Sequence, residues 1–289
     1  MEFGALAFTG ERYVPEVGGT IEMEHLHRYL LAKQVVAGKE VLDMASGEGY
    51  GSAMLAQSAR KVTGVDISQE AISHAQMKYQ RNNLEYRLGS CAAIPLADAS
   101  VDIVVSFETI EHHTEHEAMM REIKRVLRPG GLLVISSPEK LEYSDKPGYN
   151  NEHHVKELYR QEFDELLGLY FKNRSMYGQR IVYGSAILCE DRKSPVGGYE
   201  LIDDTLSVIP GVPHPVYLIG VASDEDLPLL TGGTLEQNPN DAYLVQGLVA
   251  QIAALNRAIV ERDERIIGLQ ASTSWKVTRP LRFLGRIIR

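Results

Sequence analysis

The chain has 289 residues and a formal net charge of −9, with 44% hydrophobic and 24% charged residues. These values are typical of a globular protein and exclude a wholly disordered, collagen-like or disulfide-scaffold chain. Its two cysteines, Cys91 and Cys189, cannot build a disulfide framework. The length predicts one sizeable domain with an appendage, because domains commonly hold about 100–200 residues.

The charge is unevenly distributed along the chain. From Ala271 onward there are five basic residues and no acidic one, so the first 270 residues carry −14. An acidic body argues against a phosphate-backbone footprint, and we expect no nucleic-acid partner. The first residues lack a signal-peptide pattern, and no run of about 18 apolar residues occurs. The sequence therefore predicts a soluble cytoplasmic protein.

Short apolar strands alternate with amphipathic helical segments from residue 40 to about residue 137. The pattern predicts strands at 40–43, 62–66, 84–88, 101–107 and 132–136, and helices at 50–59, 69–80 and 115–127. Continuously apolar strands separated by helices are typical of a parallel sheet that is covered on both faces. We therefore predict a doubly wound α/β domain.

Beyond this core, the pattern predicts a helix at 159–170 and one more buried strand at 216–222. Residues 191–215 hold too many glycines and prolines for a regular element. We predict that the globular domain spans residues 1–225 and that the polar residues 226–242 form a linker.

After the linker, apolar residues recur with alternating spacings of three and four. They are Val245, Leu248, Ile252, Leu255, Ile259, Ile266 and Leu269, which we call the seam. This repeat keeps one stripe facing a partner helix, so it predicts a coiled-coil helix over 243–270 and a homo-oligomer formed through 245–269. Arg262 interrupts the seam, and both a dimer and a trimer fit. The alternative is an amphipathic helix that docks on its own domain.

Residues 271–289 form a basic tail. Within 275–289, arginines lie on one helical face opposite Trp, Phe, Leu and Ile residues. This arrangement suits an anionic membrane surface or an acidic protein. It predicts peripheral attachment at the inner face of the membrane or contact with a glycosyltransferase; the alternative is a solvated, charged chain end.

The segment Asp43–Gly51 joins the first predicted strand to the first helix. Its glycines allow the backbone to turn sharply and to approach a ligand, and the following helix offers free N–H groups. Asp66 ends the second strand, where a carboxylate accepts hydrogen bonds from ribose hydroxyls. Loop and acid together predict an adenosine-type ligand at the carboxyl edge of the sheet, although a plain tight turn and a helix N-cap explain each feature separately.

The choice of adenosine cofactor depends on two residues. The dinucleotide spacing G-x-G-x-x-G requires glycine at position 52, where Ser52 stands. The carboxylate of Asp43 would repel a pyrophosphate but would suit the ammonium group of an amino-acid portion. These residues favour S-adenosylmethionine over NAD, and they disfavour an NAD-dependent oxidoreductase.

Four segments resemble the successive motifs of class I S-adenosylmethionine-dependent methyltransferases: 43–51, Asp66, 106–112 and 127–131. The resemblance implies a seven-stranded sheet with an antiparallel last strand, a place that 216–222 would fill. It implies S-adenosyl-L-methionine as the cofactor. The residues expected to bind it are Asp43, Ala45, Gly47 and Gly49 in the loop, Asp66 at the ribose, Ile67 at the adenine, and Ser90, Cys91 and Phe107 from later strands.

Two positions depart from that family's pattern. Ala45 replaces the commonest first glycine of the loop, and Ser90 stands where many members carry an acid that accepts from the adenine amino group. The segments 10–15 and 24–29 resemble methyltransferases found with bacterial surface-polysaccharide genes. Tyr13, His27 and Arg28 are therefore candidates for a lid over the cofactor; the alternative is a helix that packs on the sheet edge.

Methyl transfer from a sulfonium mainly requires alignment of the acceptor and exclusion of water. A hydroxyl acceptor must also lose its proton, for which a histidine near neutral pKa is the natural base. We predict His112 and His154 as catalytic residues, with capping or loop structure as the alternative roles. His112 and His116 would share a metal only if the next helix began early, and we predict no metal site.

These observations predict a cytoplasmic O-methyltransferase that acts on a sugar of a bacterial surface glycan, or on another small molecule. The segment 272–282 resembles one seen on bacterial glycosyltransferases and associated enzymes, which supports the glycan acceptor. The alternative from another class is an assembly protein that keeps the methyltransferase fold without turnover.

Overall fold

The computed structural model describes residues 12–15, 19–182, 197–202, 205–237 and 242–279. The chain divides into two compact units, Met1–Leu235 and Glu236–Arg289. The predicted domain boundary at residue 225 and the linker 226–242 stay predictions. Most of the basic tail, from Pro280 onward, and Gly10 and Glu11 of the segment 10–15 lie outside the described residues.

Seven strands of the first unit form one sheet with the order β3-β2-β1-β4-β5-β9-β6. Strand β9 runs antiparallel to both β5 and β6, while the other neighbouring pairs are parallel. The strands are β1 Glu40–Met44, β2 Lys61–Asp66, β3 Leu84–Leu88, β4 Val101–Ser106, β5 Leu127–Pro138, β6 Asn173–Gln179 and β9 Tyr217–Ser223. The predicted seven-stranded α/β fold and its antiparallel strand are confirmed.

Helices cover both faces of this sheet. They are α1 Thr20–Lys33, α2 Tyr50–Leu55, α3 Gln69–Lys78, α4 His116–Val126 and α5 Arg160–Tyr170, with a 3₁₀ turn at Ile110–His112 and a π turn at Leu141–Asp145. On one face α4 and α5 bury Met119, Ile123 and Phe163 against β4 and β5; on the other, α1 and α2 bury Tyr29 and Leu55.

Four strands differ from the sequence prediction, and two of them lie within residues 191–215, where the prediction of no regular element was wrong. Strand β6 was not predicted, because Asn-Arg-Ser-Met-Tyr-Gly-Gln is a half-exposed edge strand without an apolar run. Strand β5 begins at Leu127 rather than Leu132, with a shift in its register against β4 between Val101 and Ile103. Within 197–210, β7 Gly197–Ile202 and β8 Thr205–Pro210 form a separate antiparallel hairpin.

The second unit contains one long helix, α6 Tyr243–Ala271, followed by the short α7 Thr273–Val277. With 29 residues, α6 is about 44 Å long. The seam residues are exposed; Leu255, for example, keeps 57% of its surface. Whether this helix forms a coiled coil stays a prediction. Among the described helices, none combines the length and the apolar character needed to span a bilayer.

Candidate active site

The parallel register brings three strand ends together. Met44 of β1 lies opposite Val65 of β2 and Ser106 of β4, so the residues that follow these strands meet at one edge. A cavity of about 350 Å³ opens there. Of the residues predicted to bind the cofactor, those lining it are Tyr13, Ala45, Gly47, Asp66, Ile67, Ser90, Cys91 and Phe107. Asp43, Gly49 and Arg28 are not among the lining residues.

The loop after β1 folds tightly, with a positive φ at Ala45, Gly47 and Gly49. At Gly49, φ is +101°, and a Cβ atom would lie 2.7 Å from the Cβ of Ala75 and 2.9 Å from the hydroxyl of Tyr86. Only glycine permits this approach to α3 and β3. The role of Gly49 in this structure is therefore to seat the loop, which leaves Ala45 and Gly47 at the cavity.

The carboxylate of Asp66 ties the loop to the turn after β2. One oxygen accepts the backbone N–H of Gly47 at 2.8 Å, and the other accepts that of Ser68 at 2.8 Å. Arg12 lies 3.8 Å away, on the chain segment that crosses the cavity. Next to Asp66, the apolar side chain of Ile67 is exposed, and the residue keeps 78% of its surface. An acid beside an exposed apolar side chain suits a ribose joined to a base.

Asp43 lies in a closed polar cage. Its carboxylate is fully buried and accepts hydrogen bonds from the Ser52 hydroxyl at 2.6 Å and the Tyr29 hydroxyl at 3.1 Å. Burial raises the pKa of Asp43 to about 7, against the lowering effect of these hydrogen bonds. Its predicted contact with an ammonium group stays a prediction, because in this structure its side chain bonds Ser52 and Tyr29 and does not line the cavity.

The raised pKa of Asp43 predicts a pH-dependent cost of folding. Because the folded-state pKa of about 7 exceeds the ordinary 3.8, stability is lost as pH rises from about 4 to about 7. The variant Asp43→Asn removes this cost but keeps an acceptor for Ser52. We expect its free energy of unfolding, relative to the natural chain, to increase by about 4 kcal/mol over that range. Urea denaturation at both ends of the range measures the difference; parallel pH profiles would contradict it.

Aromatic rings line the side of the cavity that faces α1. Tyr13 meets Tyr50 edge-on at 5.1 Å, and Tyr29 meets Phe107 edge-on at 5.1 Å. His25 bonds the Tyr50 hydroxyl through Nδ1 at 2.8 Å. Aromatic faces attract cations when water is excluded, so this wall suits a ligand that carries positive charge.

Of the three lid candidates, only Tyr13 lines the cavity. Arg28 is buried and donates to Gln179 Oε1 at 2.8 Å, and its guanidinium lies 4.9 Å from the centre of the Tyr217 ring. Its partner across the sheet edge is Glu108, 3.8 Å away. His27 is half-buried and does not line the cavity. Arg28 therefore belongs to a buried polar cluster beside the cavity.

Glu108 lines the cavity. It belongs to the segment 106–112, but the sequence did not predict a role for it. It has a φ of +49°, which is strained for a residue with a side chain. Ser136 bonds both the backbone and the side chain of Glu108: its hydroxyl accepts the Glu108 N–H at 3.0 Å and donates to the Glu108 carboxylate at 2.6 Å. No sequence pattern signals this strain.

The two predicted catalytic histidines lie together. Their rings meet edge-on at 5.2 Å, although only His112 lines the cavity. Nδ1 of His112 lies 3.0 Å from the carbonyl oxygen of His153, and Nδ1 of His154 lies 2.5 Å from the carboxylate of Glu157. Tyr143 stacks on the His154 ring at 5.2 Å. The roles predicted for the two histidines stay predictions.

The pairing of His112 with His116 does not form, because α4 begins only at His116 and His112 ends the preceding 3₁₀ turn. His116 instead bonds the carbonyl of His113 at 2.8 Å. A different set approaches His112: Glu111 and His154, whose potential ligand atoms all lie within 4.8 Å of one another and of His112. Sequence reasoning missed Glu111, since its neighbour His154 comes from a distant loop.

The sheet order, the glycine-bearing loop and the acid after β2 together define the Rossmann-like fold of class I methyltransferases. The solved structure of an S-adenosylmethionine-dependent methyltransferase from Thermotoga maritima has this fold, with a TM-score of 0.50 and 14% identity over 71% of this chain and 91% of that one. At this identity, the likeness concerns the fold alone.

Sequence comparison agrees with the fold. Residues 42–135 match the family model described as a methyltransferase domain. A protein of Mycolicibacterium smegmatis, described as a probable S-adenosylmethionine-dependent methyltransferase, is 39% identical over 56% of this chain and 64% of its own length. A relative from Mycobacterium tuberculosis with the same description is 38% identical over 56% of this chain and 60% of its own length. The chain thus spans about three fifths of the length of these curated relatives. Its residues 42–135 are similar to a methyltransferase domain, and both relatives are described as dependent on S-adenosylmethionine.

The residues present fit that cofactor. The cavity combines an acid beside an exposed isoleucine, for the nucleoside, with a wall of Tyr13, Tyr50 and Phe107, for the sulfonium. Ser90 and Cys91 lie at the same edge, after β3. At Gly47 a Cβ atom would lie only 3.3 Å from the Arg12 side chain, so glycine lets Arg12 approach the loop closely.

Proposed function

We propose that this protein is an S-adenosylmethionine-dependent methyltransferase that O-methylates a sugar, such as one of a bacterial surface glycan. The observation that carries the proposal is that Glu108 and His112 line the cavity, while His154 and Tyr143 lie directly behind His112 with ring centres 5.2 Å apart at each step. When bound, the cofactor supplies a methyl group on a positively charged sulfur. Asp66 and Ile67 hold the nucleoside, and the aromatic wall faces the charge and excludes water.

The region beyond the cavity supports a carbohydrate acceptor. Glu24 and Glu108 supply acceptors for hydroxyl groups, Arg28 pairs with Glu108 at 3.8 Å from inside the fold, and burial raises the pKa of Glu24 to about 7. Tyr143 lies 5.6 Å from Tyr149 and 5.8 Å from Tyr217, centre to centre. Sugars present hydroxyl edges and apolar faces, so neighbouring charged and aromatic side chains match both. The relatives' descriptions name no sugar, and the acceptor rests on this chemistry alone.

The acceptor hydroxyl must lose its proton, and we assign removal of this proton to the His112–His154 pair. We expect His112→Asn to lower kcat about 100-fold or more, as expected for removal of acid–base catalysis, while cofactor affinity changes less than about threefold. Transfer of radiolabelled methyl to surface glycan measures the first quantity, and calorimetry the second. The matched control is His153→Ala, which keeps the carbonyl that faces His112.

Two results would count against this proposal. Full methyl transfer by His112→Asn would remove the role of the histidine pair. Absence of cofactor binding by the natural chain would favour an assembly protein with a methyltransferase fold.

The exposed seam of α6 supports a homo-oligomer. We expect Leu255→Lys to convert the oligomer to a monomer, because a charge at a seam position would have to be buried between helices. Val260→Lys is the matched control, since Val260 is also 57% exposed but lies off the seam. Sedimentation velocity measures the state; a natural chain that is monomeric would contradict the coiled coil.

A further inference from the structure

Glu111 is a buried carboxylate without a hydrogen bond in the part of the chain that the structure describes. It keeps none of its surface exposed, and neither carboxylate oxygen has a hydrogen-bond partner among the described residues. Such a group is costly to bury, so a carboxylate in this state indicates a ligand that the protein chain itself does not supply. Its neighbours show which ligand.

The neighbours are two histidines held in one tautomer. Nδ1 of His112 faces a carbonyl and Nδ1 of His154 faces the Glu157 carboxylate, and both oxygens can only accept. Each neutral ring therefore carries its proton on Nδ1 and its lone pair on Nε2. In metal sites, the second ring nitrogen of a ligand histidine is held by a carboxylate or carbonyl in just this way.

We propose that Glu111, His112 and His154 bind a divalent transition-metal ion. The ligand atoms of the three residues lie within 4.8 Å of one another, and Nε2 of His112 lies 3.9 Å from Glu111 Oε1. Two imidazoles and one carboxylate suit Zn²⁺, Mn²⁺, Fe²⁺ or Co²⁺ better than Mg²⁺ or Ca²⁺, which prefer oxygen ligands. The carboxylates of Glu108 and Glu157 add further negative charge around the site.

One contact must change when the ion binds. The side-chain amide of Asn151 donates to Nε2 of His154 at 3.0 Å and to the Tyr143 hydroxyl at 3.2 Å. The ion needs the lone pair on Nε2 of His154, so the Asn151 side chain must leave this atom and turn towards Tyr143. Because Asn151 follows the π turn on a half-exposed loop, this rotation requires no movement of the sheet.

The ion gives the proposed methyl transfer a way to activate its acceptor, and this part rests on the proposed function. His112 lines the cofactor cavity, so an ion bound to it can also hold the acceptor hydroxyl and lower its pKa. The hydroxyl proton leaves to water, the oxygen forms a bond to the methyl carbon, and the electron pair of the broken carbon–sulfur bond stays on sulfur. In this scheme His112 acts as a metal ligand and not as the base, so His112→Asn lowers kcat because the ion is lost.

Cobalt titration of the untagged, EDTA-treated protein tests the site without cofactor or acceptor. We expect one Co²⁺ per chain, with the visible absorption of nitrogen-coordinated cobalt. Glu111→Gln should weaken this binding at least about tenfold, and Glu157→Gln by about tenfold through the orientation of His154. His153→Ala, a neighbouring histidine outside the set, should bind as the natural chain does.

The outcomes separate this inference from the proposed function. Absence of a coordinated-cobalt spectrum in the natural chain, or equal binding by the natural chain, Glu111→Gln and Glu157→Gln, would overturn the metal site, even if calorimetry shows cofactor binding and methyl transfer survives EDTA. Cobalt binding without cofactor binding would keep the site and overturn the methyltransferase. Circular dichroism identifies a misfolded Glu111→Gln, in which case Glu157→Gln decides.

Discussion

Replacement of Asp66 by alanine should weaken binding of S-adenosylmethionine about 100-fold. Two contributions add in this variant. The carboxylate that we predict to accept the ribose hydroxyls is lost, and so are the acceptors for the backbone N–H groups of Gly47 and Ser68. Hydrogen bonds to a charged group contribute about 1.5–3 kcal/mol each, and about 1.4 kcal/mol corresponds to tenfold in affinity.

Isothermal titration calorimetry measures this affinity directly. Asp98→Ala is the matched control, since Asp98 is exposed and pairs with Arg125 on another part of the domain. Asp66→Asn should lie between the two, because an amide oxygen still accepts one N–H. Unchanged affinity in Asp66→Ala would show that the cofactor does not occupy this cavity.

Replacement of Glu48 by alanine should lower the free energy of unfolding by about 3 kcal/mol. Glu48 is fully buried, and its carboxylate bonds His74 at 2.8 Å, Lys78 at 2.6 Å and Tyr79 at 2.8 Å. Its removal takes the bonds to Glu48 away from these three side chains at α3 and its C-terminal end. The cost is at the lower end for a broken buried pair, because the Lys78 side chain is 31% exposed and can reach water.

Urea denaturation of Glu48→Ala and of Glu117→Ala measures this effect. Glu117 pairs with Arg121 at the surface, and such pairs contribute at most about 1 kcal/mol. Because Glu48 also lies between Gly47 and Gly49, its loss should loosen the loop and weaken cofactor binding. Equal stability of the two variants would mean that the Glu48 cluster does not anchor the loop to α3.

Apolar runs and the glycines and prolines between them predicted most of the sheet, because its central strands are buried on both faces and are therefore continuously apolar. Strand β6 escaped prediction for the opposite reason, since an edge strand tolerates Asn173, Arg174 and Ser175. The start of β5 was also missed, because Pro129 and the two following glycines are typical of turns and not of strands.

The cofactor side of the site was more predictable than the acceptor side. Asp66 ends β2, Ile67 follows it, and Ser90 comes just after β3; the carboxyl ends of these parallel strands share one edge of the sheet. Glu111 and His154 come from separate loops, and their proximity depends on how residues 139–158 fold back. Arg28 carries a charge that predicts exposure, yet Gln179, Glu108 and Tyr217 together offset its burial.

Strand β9 has a consequence for synthesis of the protein. It lies between β5 and β6 although it follows both in sequence, and it pairs with β5 over residues 217–222 and with β6 over residues 217–223. A nascent chain that has not yet released Ser223 from the ribosome exposes two unpaired strand edges. The domain can therefore close only after translation has passed this point, and stalling before it leaves an aggregation-prone intermediate that chaperones must protect.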